Sequence, residues 1–559
     1  MPMKFFLIIC LIFTRTIIAQ VNFTKYVDPM VGTGGHGHTF PGATVPFGMV
    51  QLSPDTRVDG SWDGCSGYHY SDSILYGFSH THLSGTGCSD YGDIALLPLD
   101  GKTVKPGSKI KPKVIPDLNK FQAEFSHANE NASAGYYALK LKNQILCELT
   151  ASERVGFHRY TFTNDYGRLI LKINHRDKTL GSDIKIINDH IIEGYRRSEA
   201  WAKDQYIFFK MEFSESFIVE NNGTSASKNI NQNDGLIVPY AVFSFPHLTK
   251  KQLLVKVSVS FVSTDGAGKN MEAELPHWDF ERAKVQASTA WEKELSKISV
   301  EGDEEKKKIF YSALYHCMIQ PNICNDVDGR FRGRDNLVHQ TSGHNYYTVF
   351  SLWDTFRGEH PLLTITDRKR TSDFIKTFLL QYQQGGRLPV WELASNETDC
   401  MIGYHSASVI SDAISKGIRD FDLQLALEAM KKSATWNHLG LPALMKKNYI
   451  EAEDEHESVS QVLEYSYDDW CIAQVSKLLA REDDYQYYML RSQCWKNLFD
   501  PKTGHMRPRR NGGWHSPFDP REVNNYCTTG NSWQYSFFVP HDIEGLMDIM
   551  GGQLAFENK

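Results

Sequence analysis

The sequence predicts a chain that begins as an antiparallel β-sandwich and ends as an array of helices, and two periodicities carry that prediction. From about residue 21 to 265 apolar residues alternate at period two, as in Tyr137, Leu139 and Leu141, in Leu169, Leu171 and Ile173, and in Val255, Val257, Val259 and Phe261. Alternation of this kind belongs to half-buried strands. Turn-forming clusters such as Asn221-Asn222-Gly223-Thr224 separate the runs and few helical patterns intervene, so an antiparallel sandwich is favoured over alternating βαβ units. Beyond a polar linker expected around Thr264 to Asn270, the period changes to that of helices. Between His456 and Ala480, the residues Val459, Val462, Leu463, Trp470, Val475 and Leu478 fall at three- and four-residue steps and predict one apolar stripe on a long helix. Similar patterns cover roughly 281–298, 305–320, 367–384, 405–416, 422–436, 484–498 and 530–550.

The elements follow in order along the chain. Residues 1–20 read as a signal peptide, because Lys4 precedes the apolar run Phe5 to Phe13 and the small residue Ala19 offers a cleavage point before Gln20. That run is too short for a bilayer span and no later stretch reaches the roughly 20 apolar residues a membrane helix needs. The protein is therefore expected to be exported, to the periplasm or the cell exterior, with association to the cell envelope as the alternative. A lipid anchor on Cys10 is disfavoured by the bulky Leu7-Ile8-Ile9 ahead of it. The domain division is 21–265 for the sandwich, 266–300 for linker and helix, and 301–559 for the helical domain. Length agrees, since 559 residues exceed one ordinary domain.

Composition excludes several classes of function. With 41% hydrophobic and 23% charged residues the protein is neither a disordered tail nor a membrane bundle. Sixty basic against 67 acidic residues leave a net charge of -7, and no long basic run occurs, so a nucleic-acid partner is not expected. Nine cysteines remain after Cys10, scattered and without a CxxC pair, which argues against a zinc ribbon or a dense disulfide framework. His69, His80 and His82 sit in a strand-and-turn region and read as structural rather than zinc-binding. The glycine-rich Gly32 to Gly37 is not set in a strand–helix unit, so it reads as a loop allowing close backbone approach rather than a nucleotide loop. The acidic run Glu451 to Glu457 reads as a solvated helix start.

Candidate chemistry lies where aromatic and polar residues crowd together. Trp62-Asp63-Gly64-Cys65-Ser66-Gly67-Tyr68-His69-Tyr70 combines flat apolar faces with hydrogen-bonding groups, a mixture that suits sugar rings and equally suits a loop packed on a neighbouring domain. Trp353-Asp354-Thr355-Phe356-Arg357 and Gly386-Arg387-Leu388-Pro389-Val390-Trp391-Glu392 repeat the pattern in the helical half, where surface salt bridges are the alternative.

In order, the segments YVDPMVGTGGHGHTFPGATVPFGMVQLSPDTR (26–57), WDGCSGYHYSD (62–72), GFSHTHLSGTG (77–87), SLWDTFRGEHPLL (351–363), GGRLPVWELASNETDCMIGYHS (385–406), SVSQVLEYSYDDWCIAQ (458–474), FDPKTGHMRPR (499–509) and GNSWQYSFFVPHD (530–542) resemble glycoside hydrolase family 92, the calcium-dependent exo-α-mannosidases. The resemblance implies a β-sandwich set on an (α/α)6 toroid, with an active site at their interface. It also implies inverting hydrolysis of a terminal α-linked mannose, of α-1,2 type in glycans or mannans, by an acid, a base and calcium. On this resemblance Trp62, Asp354, Arg387, Trp391 and Glu392 are the expected substrate-binding residues, α-mannoside glycans the expected partners and calcium the expected cofactor.

Two departures accompany it. The family's general acid is a Glu in a Thr-Glu-Gly-Asn stretch, whereas this sequence reads Thr528-Thr529-Gly530-Asn531 and places Thr529 at that position. The downstream family motifs that carry the base and much of the calcium site do not occur among the 559 residues, so the toroid is expected to be incomplete and the sequence shortened at its C-terminus. Three functions follow as expectations: an exported α-mannosidase, a relative that cleaves mannose-1-phosphodiesters and needs no acid, or a non-catalytic mannoside-binding protein.

Overall fold

A computed structural model describes residues 22–99, 118–173, 176–222 and 240–559. The signal peptide read over 1–20 lies outside the described residues. Two antiparallel sheets form the N-terminal half. One has the order Ala43–Thr44, Gln51–Asp55, Gly77–Ser79, Ala95–Leu99, Gly167–Lys172, Tyr240–Phe245, Ile218–Asn222. The other runs Lys178–Ile186, Ile191–Glu199, Gln205–Phe213, Gln252–Ser260, Val155–Thr161, Leu146–Ala151, Tyr136–Lys140, Glu130–Ser133. Their inner faces share one core, with Leu52, Phe78, Leu96, Leu169 and Phe243 from the first sheet meeting Leu139, Leu149, Phe209, Met211 and Val257 from the second. Burial alternates strictly along Ile191–Glu199 and Gln205–Phe213, which is the period-two signal realised as packing.

The segment read as a polar linker is a helix, Thr264–Glu274. Ser263 caps it by accepting from the Gly266 amide at 3.0 Å, and buried Asn270 donates to both Val259 O and Asp326 Oδ1 at 2.9 Å. Polar residues here are spent on joining sandwich to helices, so hydropathy alone concealed the element. Helices Phe280–Leu295, Glu304–His316, Arg368–Gly385 and Leu423–Ala434 then follow where the periodicity places them, each opened by an aspartate, namely Asp279, Asp303, Asp367 and Asp422, whose carboxylate accepts from a first-turn amide.

Two helical expectations change. The single helix over 530–550 is two, Ser532–Tyr535 and Ile543–Ile549, because Pro540 intervenes and cannot continue a helix. Helix Ser458–Leu478 is buried on nearly every face rather than along one stripe. Its Ser460, Gln461, Glu464, Ser466, Asp468 and Asp469 are as enclosed as its valines, because it runs through the middle of the helical half. In the acidic run ahead of it Glu453 and Asp454 are exposed, whereas Glu451 is buried, and Glu451 and Asp454 both pair with Lys447, at 2.7 and 2.8 Å, in the turn before Ser458.

The halves are sewn together at their seam. The Phe47 amide donates to Met318 O at 2.7 Å, the Ile323 amide to Phe47 O at 2.8 Å, and the Trp291 indole to Thr44 O at 2.7 Å. Among the described residues no disulfide forms, and nine cysteines are free thiols.

Candidate functional site

On the sandwich side, one guanidinium organises the aromatic loop. Arg57 donates to Asp72 Oδ2 at 3.0 Å, to the Asp63 carbonyl at 2.7 Å and to Ser71 Oγ at 3.2 Å, so both ends of the 62–72 segment are tied to one residue. Trp62 stands out from this loop 63% exposed, with its indole edge-on to His38 at 4.8 Å. It lies over Gly87, where a Cβ would fall 2.3 Å from the ring, so only glycine lets the indole settle there. His69, expected to be structural, faces Gly35 O at 3.0 Å and Ser71 Oγ at 2.8 Å, and His82 pairs with buried Asp55 at 2.9 Å.

On the helical side the centre is the N-terminal end of helix Ser458–Leu478. Asp354 is exposed in the short helix Leu352–Thr355 and accepts from the Ser351 hydroxyl. Arg387 is buried, donates to Asp399 and lies over the Trp436 ring at 5.5 Å. Burial raises the Cys400 thiol, and the carboxylates of Asp354, Glu457 and Glu397 around it raise it further. Burial likewise raises the Cys527 thiol, to about 12, again with Glu457 facing it. The Glu457 amide donates to Asn525 O at 2.6 Å, which ties the start of helix Ser458–Leu478 to the segment leading to Thr529. Thr529 is exposed at φ 48°, just ahead of the capping box of Asn531 and Gln534. Cys88, next to Gly87 under Trp62, is buried in the core shared by the two sheets, and Cys400 and Met401 pack against that core.

Trp391 and Glu392 are placed differently, inside the seam. Trp391 is buried edge-on to Trp201 at 5.5 Å. Glu392 is fully enclosed and accepts from Thr348 Oγ1 at 3.0 Å and the Ser395 amide at 2.6 Å, and burial pushes its carboxyl up to about 7. Trp62, Asp354 and Thr529 are thus exposed, while Arg387, Trp391 and Glu392 are buried.

Sequence reasoning passed over the strongest electrostatic feature of this region. Glu464, fully buried, accepts from the Trp353 indole at 3.1 Å and lies 3.6 Å from the Arg357 guanidinium. Its other oxygen faces His405 Nε2 at 3.1 Å, and His405 Nδ1 faces Asp468 at 2.9 Å. The His405 ring stacks on Phe356 at 4.0 Å. Burial alone would push this imidazole down, but the two carboxylates outweigh it and hold it near pKa 9. The 353–357 segment is consequently gripped from its indole, its phenyl and its guanidinium, and Asp354 rides on it. Acidic residues breaking into the apolar run of helix Ser458–Leu478 were the available signal.

Chemically, Asp354 offers an exposed carboxylate, Arg387 and Asp399 a guanidinium–carboxylate pair and Trp62 an exposed indole, groups of the kinds that chelate vicinal hydroxyls and stack on a pyranose. Thr529 offers a hydroxyl with no acidic proton near neutral pH. Among the described residues no group of three or more His, Cys, Asp or Glu side chains is placed to hold a metal ion.

Comparison with known proteins agrees along both halves. The model of the glycosyl hydrolase family 92 N-terminal domain matches residues 26–260, and that of the family 92 catalytic domain matches 266–559. The family GH92 α-mannosidase BT3965 from Bacteroides thetaiotaomicron superposes with a TM-score of 0.88 at 36% identity, covering 96% of this chain and 74% of that one. The inverting mannosidase BT2199 of the same organism superposes with a TM-score of 0.85 at 27% identity, over 96% of this chain and 73% of its own. A protein from Arthroderma benhamiae described as an uncharacterized secreted glycosidase is 27% identical over 95% of this chain and 72% of its own length. A β-sandwich joined to a helical domain, each matched by its family model, is the architecture of a two-domain glycosidase. The chain belongs to glycosyl hydrolase family 92.

Proposed function

We propose that this protein is an exported glycosidase that recognises the terminal mannose of α-mannosides, α-1,2-linked glycans or mannans first among them. The superposition on α-mannosidase BT3965 over 96% of the chain carries the reading, and the exposed Trp62 indole, the exposed Asp354 carboxylate and the Arg387–Asp399 pair are groups suited to a sugar. The same relative has been solved with mannoimidazole bound, which makes that compound the natural probe. Titration calorimetry should register binding of mannoimidazole and of methyl α-mannoside. No heat with either ligand, with or without added calcium, overturns the reading. Export rests on the apolar run Phe5 to Phe13 and on the secreted relative.

A second reading concerns the bond cleaved, and Thr529 is the observation that favours it. From a mannose-1-phosphodiester the leaving group is a phosphate monoester, a stable anion that needs no proton, whereas expelling a sugar alkoxide without general-acid help costs about 10²–10⁴ in rate. The protein should therefore release mannose faster from a mannosyl phosphodiester than from an α-mannosyl disaccharide. Thr529→Glu should raise disaccharide turnover by about the same 10²–10⁴. A wild-type protein that prefers the disaccharide removes the phosphodiester reading and leaves the first one standing.

Calcium is part of the proposal as the family's cation. Chelation should abolish mannoside binding and readdition restore it; binding indifferent to both removes calcium from the account.

A further inference from the structure

The aromatic loop has a second exposed ring. Tyr70 is 48% exposed, and one face of it stacks on the His127 imidazole at 4.2 Å and 20°. His127 is itself fixed. Phe125, buried, meets it edge-on at 5.3 Å, and His127 Nδ1 lies 2.7 Å from Glu130. Glu130, with 3% of its side chain exposed, also accepts from the Tyr68 hydroxyl at 3.0 Å and the Tyr137 hydroxyl at 2.5 Å. A buried carboxylate with three donors thus holds the imidazole, and the imidazole holds the tyrosine. Among the described residues nothing bonds the Tyr70 hydroxyl, and the other face of the ring is open.

Location gives this ring its meaning. The Tyr70 amide donates to Thr33 O at 2.8 Å and its Cβ lies 3.5 Å from where a Cβ on Gly34 would stand, so it flanks the glycine-rich loop. Arg57 grips the Asp63 carbonyl and Ser71 Oγ, each one residue away from Trp62 and Tyr70 respectively. Two exposed aromatic faces therefore belong to one clamped loop. Their flanks are polar, with His36 and Asp63 paired at 2.9 Å. A rigid ring held in its binding position loses little entropy when a ligand stacks on it.

We propose that Tyr70 is a second sugar-stacking platform, taking a pyranose of an oligosaccharide beyond the terminal mannose, so that the protein favours chains over single sugars. The inference rests on the mannoside reading above. It is tested by calorimetry of wild type, Tyr70→Ala and Tyr70→Phe with methyl α-mannoside and with a linear α-mannotetraose. Tyr70→Ala should bind the tetraose about 5- to 20-fold more weakly and methyl α-mannoside unchanged. Tyr70→Phe, which keeps the ring, should stay within about two-fold of wild type for both. A tetraose affinity untouched by Tyr70→Ala overturns the platform. So does an equal loss for both ligands, which would mean that the ring supports the loop rather than a sugar. Wild type binding both ligands equally overturns the platform and leaves the mannoside reading intact; wild type binding neither removes both.

Discussion

A histidine in each half, His80 in the sandwich and His405 among the helices, is completely enclosed, and these two are held in opposite charge states. In the sandwich, His80 Nδ1 lies 2.6 Å from Ile94 O, its Nε2 lies 3.0 Å from His158 Nε2, and His158 Nδ1 lies 2.9 Å from the Tyr160 hydroxyl. One proton per contact satisfies this row if both rings are neutral, and burial pushes His80 down to about 4 and His158 further. In the helical half His405 stands between Glu464 and Asp468 and is raised to about 9. Depth of burial is the same in both places, so it does not set the charge; the partners do. The cluster around His405 also anchors Trp353 and Arg357 beside Asp354, through Glu464.

The largest effect that would break this comparison is removal of one carboxylate from the charged cluster. Asp468→Ala strips His405 and the Tyr404 amide of an acceptor and should cost about 3–5 kcal/mol in urea unfolding of the helical half. A loss below about 1 kcal/mol would mean that His405 is not held as an imidazolium.

Next come the opposite pH limbs, each worth about 3 kcal/mol by linkage. Folding of the helical half takes up the His405 proton more tightly than the unfolded state does. Its contribution is complete below about pH 6.5 and is lost as the pH rises through about 9. The folded sandwich instead refuses a proton that unfolded His80 accepts, so its stability falls as the pH drops from about 6.5 towards 4. Melting curves from pH 4.5 to 9.5 should show His405→Gln flattening only the alkaline limb and His80→Gln only the acid one. Both variants acting on the same limb would erase the distinction between the halves.

The smallest effect on stability belongs to Trp62. Trp62→Ala should shift unfolding by under about 0.5 kcal/mol, because the indole is 63% exposed, while weakening mannoimidazole binding markedly. Undiminished binding would take Trp62 out of the site.

Particular residues mark how far the sequence could be read. Alternation at Leu169, Leu171 and Ile173 specified strands because one face of each strand must meet the opposite sheet, and all three are fully buried. Trp62, Asp354, Arg387 and Thr529 were identifiable because motif spacing preserves which residues stand at the ends of elements. Thr264–Glu274 escaped because its polar residues make seam contacts that no periodicity records. Trp391 and Glu392 sit in equally aromatic and acidic surroundings by sequence, yet the packing of Trp201 and Thr348 encloses them in the seam.

By itself the sequence determined the two-part β-then-α plan and the family, since periodicity and motif order are local properties of a polypeptide. The charge on His405, the enclosure of Glu464, the withdrawal of Glu392 and the stacking of Tyr70 on His127 were decided by tertiary structure alone. Each depends on partners brought together from distant parts of the sequence, and the free energy of a charge or an exposed ring is set by those neighbours rather than by the residue's own identity.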